Sequence, residues 1–190
     1  MKGKRTSTDF SNHELLVSKE RPFSEYTLKK PDTTNQCVRF ICCYGVTLVT
    51  GDFGEWVFNR EFHPSAEERS SVSDGYWLGK MYGESGASGV EFDGEQTIAE
   101  IDGILNIKWQ EDNLGRWLSG EEIEYLEACK EAAQDHEFVY DSVAHRENVG
   151  YFGDHESVPK VKKIKFWLLV VFDAFDEICR RMREQELKNT

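Results

Sequence analysis

The strongest constraint on the fold is a stretch of nearly unbroken strand signals from Cys37 to Pro64, CVRFICCYGVTLVTGDFGEWVFNREFHP. β-Branched and aromatic side chains recur in it, and two short breaks, Tyr44-Gly45 and Gly51 to Gly54, divide it into three runs. The last run stops at Pro64, which has no N–H to donate to a neighbouring strand. The pattern predicts a meander of three antiparallel strands, at residues 36–43, 46–50 and 55–62.

One more strand is expected before this meander. Residues 23–28, FSEYTL, alternate apolar with polar side chains, and Lys29 to Asp32 then form a turn signal. The sequence therefore predicts an antiparallel sheet of about four strands within residues 23–62. The polar segment over residues 1–20 is expected to be mobile.

After the sheet, the apolar residues take up helical spacing. Ser73 or Asp74 is placed to cap a short helix that runs to Tyr82, and the glycine-rich residues 84–94 are typical of a loop. A second helix is expected from Ile98 to Trp109, because its apolar residues recur with a period near 3.6.

A third helix is expected over residues 120–134. Ser119 and Glu122 have the spacing of a capping box, in which the serine oxygen accepts from the Glu122 amide and the glutamate accepts from the Ser119 amide. Residues 135–147 either continue this helix or restart it.

The C-terminal helix is the clearest element. From Lys163 to Leu187, apolar residues follow one helical stripe, and charged residues occupy the opposite face. Such a stripe typically lies across the open face of a sheet, where Trp56, Phe58 or Phe62 could meet it. The predicted fold class is α+β: a β-meander packed against helices, in a single domain over residues 21–190.

Several features predict a protein of the cytoplasm that carries no cofactor. The longest apolar run, residues 166–172, is too short to cross a bilayer, and the basic start MKGKRTSTDF has no apolar stretch behind it. The five cysteines show no CxxC spacing, so they are expected to be reduced. They stand at positions 37, 42, 43, 129 and 179.

Negative charge is concentrated in one segment. Residues 84–156 contain 19 acidic and 4 basic side chains, whereas the whole chain has a net charge of −12. Acidic faces are most often simply solvated, but so local an excess also suits a basic partner. Direct binding of nucleic acid is disfavoured, since phosphates would be repelled.

A row of carboxylates within this segment could imitate a row of phosphates. Glu121, Glu124 and Glu127 follow one another at a spacing of three residues, which places them as neighbours along a helix. The implied partner is a basic nucleic-acid-binding protein. The residues expected to contact it are Glu121, Glu124, Glu127, Glu131 and Asp135.

Catalytic patterns are sparse. His136 and His155 each lie in an Asp-His-Glu tripeptide that could supply metal ligands, but together with His145 they form no HExxH spacing. Asp52-Phe53-Gly54 resembles a kinase magnesium motif without the other kinase motifs, and a hairpin turn explains it. No catalytic residue or metal ligand is assigned, and the protein is not expected to be an enzyme.

Three blocks of sequence carry a resemblance. VTGDFGEWVFNREFHPS (49–65), VSDGYWLGKM (72–81) and FDAFDEICRRM (172–182) resemble small uncharacterised proteins encoded by phages and prophages of Gram-positive bacteria. Small acidic phage proteins of this kind include anti-CRISPR proteins, which occupy the DNA-binding channel of an RNA-guided nuclease. The resemblance implies no residue-level functional pattern.

Two hypotheses follow from the charge and the resemblance. The first is a phage anti-defence protein, acting in the host cytoplasm, whose acidic segment binds the basic nucleic-acid groove of a CRISPR effector nuclease. The second is a phage metal-dependent or nucleic-acid-processing accessory enzyme that uses the histidines and carboxylates of residues 135–156.

Overall fold

The computed structural model describes residues 5–20, 22–33, 35–64, 72–82, 89–106, 118–144 and 158–188. The chain divides into two compact units. The sheet unit comprises Met1–Val90 with Ile164–Thr190, and the acidic unit comprises Glu91–Lys163. A single domain over residues 21–190 stays a prediction.

The sheet unit is built on five antiparallel strands that lie side by side in chain order. They are β1 (Glu14–Glu20), β2 (Phe23–Lys29), β3 (Val38–Cys43), β4 (Val46–Gly51) and β5 (Trp56–Phe58). The predicted meander is confirmed in its central strands. Two details differ from the prediction: β1 was not foreseen, and β5 ends at Phe58 instead of residue 62.

The early end of β5 has a local cause. The Asn59 amide donates to the carbonyl of Lys80 at 2.6 Å, and the Phe62 amide donates to the buried hydroxyl of Thr47 at 2.8 Å. Since these backbone groups find partners outside the ladder of β4, the chain leaves the strand and still buries Phe62.

Five helices and a second, two-stranded sheet complete the fold. The helices are α1 (Asp74–Gly79), α2 (Gly94–Asn106), α3 (Gly120–Ala132), α4 (Glu137–Ala144) and α5 (Phe166–Lys188). The small sheet pairs β6 (Val90–Phe92) with β7 (Lys162–Ile164). The α+β prediction is therefore confirmed, including the long C-terminal helix.

The helices are found where they were predicted, but two boundaries differ: α1 ends at Gly79 instead of Tyr82, and α2 begins at Gly94 instead of Ile98. The Ser73 side chain caps α1 by accepting from the Tyr76 amide at 3.1 Å, and α4 restarts after α3 rather than continuing it. The loop expected over residues 84–94 is wrong at β6, while residues 84–88 lie outside the described chain. Residues 108–109 and 145–147, assigned to helices, also lie outside it.

Phe175 of α5 lies at the centre of the sheet unit's core. Its ring centroid lies 5.6 Å from that of Phe40 in β3, 6.4 Å from that of Phe62 and 4.8 Å from that of Trp77 in α1. The expected contact between the C-terminal helix and Phe62 is thus confirmed. The apolar stripe of α5 is buried because the sheet and α1 together cover it.

The segment before β1 also joins this unit. Arg5 forms ion pairs with Asp74, Asp173 and Asp176 at 2.6, 3.3 and 2.7 Å, and the side chain of Phe10 is buried in the core. Arg181 of α5 donates to the backbone carbonyl of Phe10 at 2.6 Å. Mobility of residues 1–20 in solution stays a prediction, but residues 5–20 have these contacts.

All five cysteines are free thiols, as expected from their spacing. Burial raises the pKa of the Cys42 thiol to about 11, which keeps it protonated at neutral pH. Among the described helices, none has the length and apolar composition needed to cross a bilayer.

Candidate functional site

Helix α3 carries the candidate partner-binding residues, and its first turn is fixed by the predicted capping box. The Glu122 amide donates to the Ser119 hydroxyl at 3.2 Å, and the Ser119 amide donates to the Glu122 carboxylate at 2.8 Å. Glu122 is buried, unlike the other glutamates of this helix. The reciprocal bonds satisfy two donors at the helix start.

The inward face of α3 packs within the acidic unit. Leu126 and Cys129 are fully buried beside Ile101 of α2. The Tyr125 hydroxyl donates to the carbonyl of Ala144, at the end of α4, at 2.6 Å. These contacts orient α3 so that the remaining residues of its surface face solvent.

A close approach of backbones positions α3 against the start of α2. A Cβ added to Gly94 would lie 2.2 Å from the carbonyl oxygen of Ala133, so only glycine fits there. Lys130 of α3 contacts Asp102 of α2 at 2.5 Å, and this hydrogen bond raises the pKa of the lysine. These two contacts fix the C-terminal end of α3 against α2.

The predicted row of carboxylates lies on the outer surface of α3. Glu121, Glu124, Glu127 and Glu131 are all exposed, and so is Asp135, which follows the helix. Lys130 lies 3.8 Å from Glu127, and His136 lies 3.8 Å from Asp135. Within the described chain, Glu121, Glu124 and Glu131 have no ion-pair partner.

This face is not uniformly polar. Ile123 is 43% exposed, and it lines a shallow depression of about 440 Å³ together with Glu124, Glu127 and Glu131. Sequence analysis did not single out Ile123. The sequence pattern that could have identified it is an isoleucine among the glutamates on the charged side of the helix.

Helix α4 differs from α3 because its carboxylates are neutralised. Lys160 forms ion pairs with Glu137 at 3.0 Å and with Asp141 at 2.6 Å, and Lys162 lies 3.5 Å from Glu137. The hydrogen bond from Lys160 lowers the pKa of Glu137. Exposed carboxylates without an ion-pair partner among the described residues therefore lie on α3 and on α2, where they are Glu95 and Glu100, and not on α4.

Charge differs sharply between the two units. The acidic unit contains 18 acidic and 7 basic side chains, a net charge of −11, whereas the sheet unit has 17 acidic and 16 basic ones. The excess negative charge of residues 84–156 thus belongs almost entirely to the acidic unit. Its field acts on an approaching partner as a whole, beyond the individual glutamates.

The histidines offer no assembled metal site in the described chain. His136 is exposed beside α4, while His145 and His155 lie outside the described residues. Over the residues that the structure describes, no three side chains of His, Cys, Asp or Glu are grouped so that they could hold a metal ion.

No protein-family model, curated protein or solved structure matches the chain.

Proposed function

We propose that this chain is a binding protein whose acidic unit occupies the basic nucleic-acid groove of a partner protein. The partner class that we propose is an RNA-guided nuclease of the CRISPR type, and the role is phage anti-defence in the host cytoplasm. The observation that carries the mechanism is the row of exposed carboxylates on α3, three of which have no ion-pair partner among the described residues.

Spacing supports a mimic of phosphates. Carboxylates three or four residues apart on a helix lie on one face, about 5–6 Å between neighbouring Cβ atoms. Glu121, Glu124, Glu127 and Glu131 therefore present a regular line of negative charge. Grooves for guide and target strands recognise backbone shape and charge, so such a line can compete with nucleic acid.

Rigidity also supports the proposal. The capping box and the buried residues of α3 hold the carboxylates in place before any partner arrives. A preorganised surface loses less conformational entropy on binding than a flexible acidic tail of the same charge. Ile123, exposed among the glutamates, adds an apolar contact that a row of phosphates does not offer.

The test begins with affinity capture from a lysogenic host, with a nuclease expected among the captured proteins. Binding to that purified nuclease is then measured with the triple variant Glu121→Lys, Glu124→Lys, Glu127→Lys. Charge reversal on an exposed helix face should leave the fold intact, which circular dichroism checks. Binding of the variant should fall at least a hundredfold, because attraction becomes repulsion.

A matched control reverses the same number of charges elsewhere. Glu20, Glu55 and Glu184 are exposed residues of the sheet unit, and their reversal to lysine should weaken binding much less. Binding of the unsubstituted protein should weaken steeply as salt is raised and should exclude guide-bearing substrate competitively. Equal losses in both triple variants, or binding that persists at high salt, would contradict the mimicry mechanism.

A further inference from the structure

The two edges of the five-stranded sheet differ. At the β5 edge, Phe58 forms a bridge with Met81, and the Tyr82 amide donates to the carbonyl of Val57 at 2.9 Å. The segment around Met81 therefore covers that edge. At the other edge, β1 pairs along all seven residues with β2, and no described strand pairs with its outer side.

β1 combines the properties of a strand that accepts another strand. Its last five residues are exposed, and two central apolar side chains, Leu16 and Val17, are 47% and 38% exposed. A long open edge with an apolar centre offers its unpaired N–H and C=O groups as a template for another strand.

We propose that β1 pairs with β1 of a second copy of this chain, antiparallel and with the two-fold axis at Leu16. Such an axis stands perpendicular to the sheet, so side chains on one face of the first copy meet side chains on the same face of the second. The two β1 strands then join both sheets into one. This interface goes beyond the proposed function and does not depend on it.

Side-chain chemistry selects the register. With the axis at Leu16, Leu15 lies opposite Val17 of the second copy, Leu16 lies opposite its own equivalent, and Glu14 lies opposite Ser18. With the axis at Val17, Glu14 would lie opposite Glu20, where like charges repel. With the axis at Ser18, Leu16 would lie opposite Glu20. Of these three registers, the Leu16 register is the one that opposes apolar residues at three successive central positions without opposing like charges.

Dimerisation through β1 uses no residue of α3 and brings two acidic units into one assembly. If each unit binds a partner groove, the second binding event becomes intramolecular and avidity increases. The dimer would form whether or not the acidic face binds a nuclease.

The test is a cysteine series along β1 in the full chain. Opposed residues of an antiparallel pair have Cα atoms about 4.5–5.5 Å apart, within the range of a disulfide. Leu16→Cys should therefore give a covalent dimer on mild oxidation. Ser18→Cys should not, because the two Ser18 positions would be about 14 Å apart along the strands. The unsubstituted protein, oxidised in the same way, shows how much covalent dimer the five native cysteines form by themselves.

Solution mass provides the second measurement. Sedimentation equilibrium should show twice the 22.0 kDa chain mass, and Leu16→Lys should return the protein to a monomer by opposing two lysines. Tyr44→Lys is the control, since Tyr44 is 79% exposed but lies in the β3–β4 turn, and it should stay dimeric. A monomer at every concentration, or cross-linking that is stronger at Val17→Cys or Ser18→Cys, would overturn the proposal.

Discussion

Asp173 accepts two hydrogen bonds from Thr6, each 2.7 Å long, one from the backbone amide and one from the hydroxyl. The Arg5 amide donates to the same carboxylate at 3.0 Å. Asp173 is nearly buried in the middle of α5, so its charge is compensated by donors that come from the start of the chain. One side chain thus links the segment before β1 to the C-terminal helix.

Asp173→Ala should lower the free energy of unfolding by about 2–3 kcal/mol, because it removes a charged acceptor from buried donors. Urea unfolding measures the change. The control is Glu184→Gln on the exposed part of α5, for which a change within about 0.5 kcal/mol is expected. Equal stability of Asp173→Ala and the parent would show that the link to Thr6 contributes nothing to folding.

Phe175→Ala should lower the free energy of unfolding by about 3–5 kcal/mol, since it leaves a cavity among Phe40, Phe62 and Trp77. Phe138→Ala is the matched control, because Phe138 is 78% exposed and its truncation should change stability little. Thermal unfolding of both variants distinguishes them. Similar melting temperatures for both would mean that Phe175 is not a core residue.

Gly45, Gly51 and Gly54 lie in hairpin turns and have positive φ angles. Alanine at Gly45 and at Gly51 should lower the free energy of unfolding by different amounts. Gly51, at φ +129°, has no room for a side chain, because a Cβ there would lie 2.1 Å from the carbonyl oxygen of Cys37. Gly45, at φ +81°, faces open space. Gly45→Ala should cost about 1–2 kcal/mol from backbone strain, and Gly51→Ala should cost more. The reverse order in chemical denaturation would contradict the geometry of the β4–β5 turn.

Stability should decrease on acidification because of His13. Its Nε2 lies 3.0 Å from the carbonyl oxygen of Gln36, so this nitrogen carries the proton, and Nδ1 has no hydrogen-bond partner in the described chain. Burial lowers the pKa of His13 below its ordinary value of about 6.5. Since the unfolded chain binds the proton more readily, His13 destabilises the fold as pH falls below that ordinary value.

The measurement is the free energy of unfolding from pH 8 to pH 5, compared between the parent and His13→Gln. Glutamine can donate to the Gln36 carbonyl but does not titrate. The free energy of unfolding should therefore decrease less between pH 8 and pH 5 in His13→Gln than in the parent. Leu187→Gln, a substitution at an exposed position that removes no titrating group, should keep the parent's pH dependence. An unchanged profile in His13→Gln would refute the role of His13.

Local sequence patterns determined much of this fold. Alternating side chains predicted β2, β3 and β4, and serines at the correct spacing predicted the caps of α1 and α3. These signals are local because a strand's period and a helix cap depend only on residues near one another in the chain. The excess of acidic residues in one segment is likewise a property of the sequence alone.

Tertiary structure decided what local patterns could not. The sequence of β1, ELLVSKE, lacks regular alternation, and it forms a strand because β2 offers an edge along its whole length. β5 stops early because residues around Lys80 and Thr47 take over its backbone hydrogen bonds. For α3, spacing placed the glutamates on a helix. Packing against α2 and α4 decided that Glu122 is buried while Glu121, Glu124 and Glu131 face solvent, because burial depends on neighbours distant in the chain.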